Sequence, residues 1–265
     1  MFARPYLIVC TLALSAGSVT AQQSAELKRG VKELGDLKVK FADDKKAVQK
    51  QTAEKFDALI TAVASKAKLS SAERVSLVKK WTDEKERFLK YDELSADADL
   101  APTGLQYGLK VYDKYKPVSK KYDALMKAAL NGKEAVFAGE LRDEKQTFDE
   151  THFSGRREFV KDVVWNGSRY DGNDAVVFRL RVGEVTGDVF KGRAAQNFPV
   201  AKHPIYDIAG SIDGLWVKGV SSKQIQGKTG ALQFEGVVLG KTMILGIGGV
   251  SPQGRPVNGQ VIVSK

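Results

Sequence analysis

Cysteine is almost absent from this chain: the one copy in 265 residues is Cys10. It lies in an opening where Arg4 precedes an apolar run from Tyr6 to Leu14, followed by small residues ending Val19-Thr20-Ala21. That run is too short to span a bilayer, and the small residues suit a cleavage site, so the pattern is a secretory signal peptide removed after Ala21. Cys10 follows Val9 in mid-run, which does not fit a lipid-anchored cysteine. The mature chain is then secreted or periplasmic, with no disulfide and no thiol nucleophile, and must be stabilised by packing. Histidine is nearly as scarce, with only His152 and His203. A catalytic zinc needs about three converging protein ligands, and a serine triad needs a nucleophile elbow beside its base; the sequence offers neither. No proline occurs between Ser24 and Lys68, and from residue 22 onward only three glycines precede Gly108. Charge of one sign is not concentrated anywhere. The net +10 comes from 26 Lys/Arg against 23 Asp/Glu over residues 22–150, and 15 against 9 over 151–265, plus Arg4. So diffuse a charge suits anionic surfaces in general, whereas a nucleic-acid footprint would be clustered with aromatics. The expected partner is an unknown protein or an anionic envelope component, with no specific nucleic acid and no transmembrane segment in the mature chain.

What is present divides the chain in two, with 22–153 helical and 154–265 strand-rich. In the first part apolar or small residues recur at Leu27, Val31, Leu34, Phe41, Val48, Thr52, Phe56, Leu59 and Val63, one stripe of a long helix. Lys38 and Lys45 interrupt its seam, which favours a helical hairpin or bundle over a parallel coiled coil. Ser70 with Glu73 is a capping box opening a second helix, whose stripe is Val75, Val78, Trp81 and Phe88. Ser95–Thr103 reads as a reversing loop; its acids lack the alternating spacing and glycine of a calcium loop. A third helix over Gly104–Leu130 should be kinked or divided at Pro117. Its Tyr107, Tyr112, Tyr115 and Tyr122 are expected at the edge of the core with wetted hydroxyls. The fourth, Lys133 to His152, carries Val136, Leu141 and Phe148.

In the second part a large apolar residue stands two before a glycine six times: Trp165/Gly167, Phe190/Gly192, Ile208/Gly210, Val217/Gly219, Phe234/Gly236 and Ile244/Gly246. Residues two apart share a face of a strand, so each copy sets a bulky group beside a gap, as in a sheet that curls on itself. Alternation predicts eight strands, from Glu158–Trp165 to Gln260–Val263, joined mostly by short glycine turns. The fold class is therefore α+β, a helical hairpin or bundle followed by an up-and-down antiparallel barrel. Eight strands close around side chains or one small ligand. Trp165, Phe178, Phe190, Trp216 and Phe234 are the large groups expected to line that lumen and to bind a small apolar ligand if it holds one.

Trp165-Asn166-Gly167 at the head of a meander of short strands resembles the calycin group of small barrels, which includes lipocalins and avidins, over residues 158–265. Here the glycine follows the tryptophan instead of preceding it, and no binding residue carries over. The whole arrangement resembles uncharacterised secreted bacterial proteins with a helical region and a terminal barrel, a likeness that implies no activity. Gly227-Lys228-Thr229 imitates the end of a phosphate loop, but Ser222 stands where its first glycine should be and no helix follows. Gly246, Gly248 and Gly249 likewise precede strand-type sequence, so a dinucleotide has no helix N-terminus to bind. The sequon at Asn166-Gly167-Ser168 has meaning only in a eukaryotic secretory route. With no nucleophile, base and oxyanion donor grouped together, the sequence predicts a non-enzymatic, cofactor-free interaction or envelope protein. A barrel that binds a small apolar or sugar-like ligand is the main alternative and a hydrolase the remote one.

Overall fold

In a computed structural model the chain is described over residues 25–171, 174–197, 205–226, 231–250 and 256–265, apart from 96 and 98. The expected signal peptide, His203 and the Gly227-Lys228-Thr229 turn lie outside these residues.

Four helices come first: α1 (Ala25–Ala64), α2 (Ser71–Tyr91), α3 (Ala101–Asn131) and α4 (Ala135–His152), with a single turn, α5 (Ser154–Glu158), after them. At 1.5 Å per residue α1 is about 60 Å long. It buries Leu27, Leu34, Phe41, Val48, Thr52 and Phe56. It runs antiparallel to α3, as the Lys121–Glu33 and Lys114–Asp44 pairs show. The capping box forms: Ser70 Oγ accepts from the Glu73 N–H at 3.2 Å, and the Ser70 N–H donates to the Glu73 carboxylate at 2.8 Å. Two stripe residues face outward instead: Val75 is 70% and Val136 79% exposed. Both sit near the start of their helices. Pro117 does not divide α3. Tyr115 and Val118, both fully buried beside it, hold the helix through the missing backbone donor. Pro102 belongs to the first turn of α3, not to the preceding loop, because a first-turn residue needs no N–H partner.

The strands are β1 (Val164–Asp171), β2 (Asp174–Thr186), β3 (Val189–Asn197), β4 (Ile205–Asp213), β5 (Trp216–Gln226), β6 (Ala231–Leu239), β7 (Thr242–Val250) and β8 (Pro256–Ser264). Each pairs antiparallel with the next, and β8 returns to β1 through Gly167↔Val263, closing the barrel. The first strand begins at Val164 rather than Glu158: residues through Glu158 complete α5, and Phe159 and Val163 then plug the end of the barrel from inside. Alternation on β2 runs as its sequence predicts, with Phe178, Leu180 and Val182 buried and Val177, Arg179 and Arg181 exposed.

Five of the six apolar-x-glycine copies place their large residue inside the barrel. The gap beside it is filled from the neighbouring strand. Phe234 pairs with Gly219 across β5 and β6, and a Cβ on Gly219 would collide with that ring; Phe190 covers Gly210 in the same way. The sixth copy faces out, with Ile244 under the helices.

The two halves share apolar packing. Leu215, Val237, Leu239 and Ile244, on the outside of the barrel, join the core built by Phe41, Tyr107, Tyr115 and their neighbours on the helices. Backbone contact is close where α3 crosses β6, since a Cβ on Gly108 would overlap Val237.

Candidate functional site

Of the residues expected to line the lumen, Trp165, Phe178, Phe190 and Phe234 share the barrel's interior core and are at most 3% exposed. Phe178 meets Phe234 edge-on at 6.2 Å, while Phe159 links Trp165 (6.5 Å) to Phe190 (4.8 Å). Trp216 is not among them. At the first position of β5 it faces outward and stacks on Tyr112 of α3 at 5.3 Å, because its neighbour Val217 takes the interior position. The Trp165 indole N–H is buried with no acceptor among the described residues.

The α3 tyrosines are not at a wet edge. Tyr107, Tyr115 and Tyr122, spaced by eight and seven on one helical face, are buried, and each hydroxyl donates to a carboxylate: Asp92, Asp149 and Glu144 respectively. Tyr112 donates to Asp213 at 3.0 Å. Burial first, and the adjacent carboxylates second, hold all four phenols well above the ordinary tyrosine range. Such charge-assisted bonds contribute about 1.5–3 kcal/mol each. The seam-breaking lysines belong to the same polar layer. Lys38 bonds Glu144 at 2.6 Å, and Lys45 reaches Asp92 at 2.8 Å and the His152 carbonyl.

The densest charge lies where helices meet barrel. The β2–β3 and β4–β5 turns bring Asp188 and Asp213 to the same end, with Gly187 and Gly214 at positive φ. Lys145 of α4, 3% exposed, bonds Asp188, lies 3.3 Å from Asp213 and 3.9 Å from Asp149. Arg156 of α5 donates to the Gly187 carbonyl at 2.7 Å and sits 3.4 Å from Asp188, and Ser119 donates to Asp213 at 2.7 Å. Burial pushes the Asp149 carboxyl up to about 7 although Lys145 and Tyr115 oppose it. For Lys145 burial alone would lower the ammonium pKa, but the three aspartates together raise it. Perturbed groups clustered in this way are a usual mark of a reactive site. Here Asp149 is fully buried and the cluster ties α4 and α5 to two turns of the barrel, an ionic joint between the halves.

Beside this joint is an open cleft of about 400 Å³ lined by Gln146, Glu150, Arg156, Arg157, Phe159, Val160, Lys161, Val185 and Gly187. A second cleft crosses β2 and β3, where Arg181, Lys191 and Arg193 pair with Asp162, Glu184 and Asp207. Among the described residues no group of three or more His, Cys, Asp or Glu could hold a metal ion, and no helix is long and apolar enough to cross a membrane.

These features define the class: α+β, with a helical bundle joined through a buried ionic cluster to a closed eight-stranded antiparallel barrel. No family model and no curated protein matches the chain.

Proposed function

We propose that the chain is an exported, non-enzymatic interaction protein of the cell envelope, in which the barrel is a pedestal and the helical arm meets an anionic envelope component. One observation carries this reading, the unpaired basic end of the α1–α2 hairpin. The α1–α3 register brings residue 55 opposite 106 and the α1–α2 register brings 57 opposite 85, so the hairpin from about residue 61 to 81 extends past the start of α3. There Lys66, Lys68, Arg74 and Lys79 take part in no ion pair among the described residues, Glu73 is committed to its cap, and Val75 is exposed. Uncompensated cations on a projecting tip attract polyanions at a range set by salt, about 10 Å at 0.1 M. The test is co-sedimentation of the mature chain with isolated envelope material. Replacing the four cations with glutamine is expected to abolish pelleting at 0.1 M salt, and unchanged pelleting would remove the arm's role.

A second reading is favoured by the acceptorless Trp165 N–H: a calycin-like barrel that carries a small ligand with a hydrogen-bond acceptor. Native mass spectrometry of the full mature chain tests it. A co-purified small molecule that is lost in Trp165→Phe supports carriage; an empty wild-type barrel sinks it.

A further inference from the structure

The cleft beside the ionic joint has properties that neither reading uses. Arg157 and Lys161, both exposed, contribute cations to its wall and make no ion pair among the described residues. Arg156 lies at its base, 6% exposed, with its Nη2 committed to the Gly187 carbonyl and Asp188 and its Nε buried without a partner. The one carboxylate in the lining, Glu150, accepts from Gln146 Nε2 at 2.8 Å and has no cation partner there. The apolar part of the lining is Phe159, Val160 and Val185, of which Val160 is 48% exposed and Phe159 is buried. An exposed valine next to two uncompensated cations is a poor surface for water alone. It suits a molecule with one anionic end and one apolar end.

From this we infer that the cleft between α4, α5 and the β2–β3 turn binds a small soluble amphiphile with a carboxylate or phosphate head. Arg157 and Lys161 take the head, and Val160 and Val185 take the tail over the buried Phe159. A volume of about 400 Å³ is near the lower end of ligand pockets, roughly 300–1,000 Å³, which limits the tail to a short chain. The ion-pair contribution weakens with salt, because both cations are exposed. Glu150 disfavours a second negative charge, so the head is a carboxylate or a phosphate diester, each carrying one. Phe159 connects the cleft to the barrel interior through Trp165 and Phe190, so occupancy should alter the tryptophan emission.

The test is calorimetric titration of the full mature chain with octanoate, octanol and octylammonium, with fluorescence in parallel. Octanoate is expected to bind one to one, octanol at least tenfold more weakly, and octylammonium not measurably. The double substitution Arg157→Gln/Lys161→Gln should weaken octanoate at least tenfold without changing the melting temperature, since both side chains are exposed. Val160→Asp should abolish binding, and Lys127→Gln, on α3, should leave it intact. Equal affinity for octanoate and octanol overturns the proposal, as does an equal loss in the Lys127→Gln control. Anionic phosphatidylglycerol vesicles separate the two sources of such a head: capture by vesicles without octanoate binding also overturns it.

Discussion

Asp149 and His152 sit one helical turn apart on α4 and respond to pH in opposite directions, which a pair of substitutions can separate. The Asp149 carboxyl rises from its ordinary 3.8 to about 7 in the folded chain, chiefly through burial. The folded state therefore holds this proton more tightly than the unfolded state. The stability so contributed is complete below about pH 3.8 and is lost as pH rises through 7. At 1.36 kcal/mol per tenfold change in proton affinity the ceiling is about 4 kcal/mol, and the Lys145 partner makes about 2–4 kcal/mol the working range. His152 goes the other way. Burial, then Lys45 and Lys38, lower it from 6.5 to about 4, so its neutral ring stabilises the fold above pH 6.5 and that contribution is lost as pH falls through 4. Its ring packs at 4.3 Å from Phe148 and is partly exposed, so after allowing for solvent screening about 1–2 kcal/mol is expected. Urea unfolding of wild type and Asp149→Asn from pH 4 to 8 isolates the first effect, because every other titration cancels in the difference. The variant should gain about 2–4 kcal/mol relative to wild type across that range. His152→Phe should show the opposite trend, losing its advantage relative to wild type as pH rises from 4 to 7. Parallel wild-type and Asp149→Asn profiles would refute the argument, as would a carbon NMR midpoint for Asp149 near 4.

Lys145→Met leaves Asp149 and Asp213 without an ion pair among the described residues and Asp188 with Arg156, and should cost about 3–5 kcal/mol in chemical unfolding at pH 7, part of it restored by adding Asp149→Asn; a loss under 1 kcal/mol would show that the joint does not hold the halves together. Gly108→Ala drives a methyl into Val237 and should cost about 1–3 kcal/mol, largely relieved by Val237→Ala, whereas two additive losses would mean that the clash is not the cause. On α2, Phe88→Ala should cost about 3–5 kcal/mol by thermal denaturation and Val75→Ser less than about 0.5, so equal losses would contradict the helix's orientation.

The barrel is legible in sequence because strand alternation has a period of two that no helix imitates, and because short glycine turns leave few topologies open. Phe178, Leu180 and Val182 inside, with Arg179 and Arg181 outside, follow directly from that period. Trp216 does not, because a one-residue uncertainty at a strand's start moves every side chain to the opposite face. Its interior neighbour Val217 is apolar too, so hydrophobicity alone does not choose between them. The same ambiguity recurs on β6, where Val237 and Val238 are adjacent and both buried, one under α3 and one in the lumen. The ionic joint is illegible for a different reason. Lys145, Asp188 and Asp213 come from three distant segments, and in sequence each looks like an ordinary surface charge. The tyrosine spacing puts Tyr107, Tyr115 and Tyr122 on one helical face, but spacing alone does not distinguish the wetted hydroxyls the sequence suggests from phenols bonded to carboxylates of other segments.

That joint also explains how an apolar contact acquires a single geometry. Leu215, Val237, Leu239 and Ile244 give the helices an apolar surface to settle on, but apolar contact is not directional and would tolerate sliding along the barrel. Lys145 and Arg156 tolerate none. They lie between carboxylates and a carbonyl supplied by two separate turns, and displacement by one residue would strand buried charges at a cost of several kcal/mol. Tyr112 extends the constraint, since its ring stacks on Trp216 while its hydroxyl bonds Asp213. A rigid joint of this kind fixes the direction in which the basic end of the hairpin projects from the barrel. If the arm is the contact surface, loosening the joint with Lys145→Met should weaken envelope binding even though the four tip cations are untouched, and intact binding in a folded Lys145→Met chain would show that orientation plays no part.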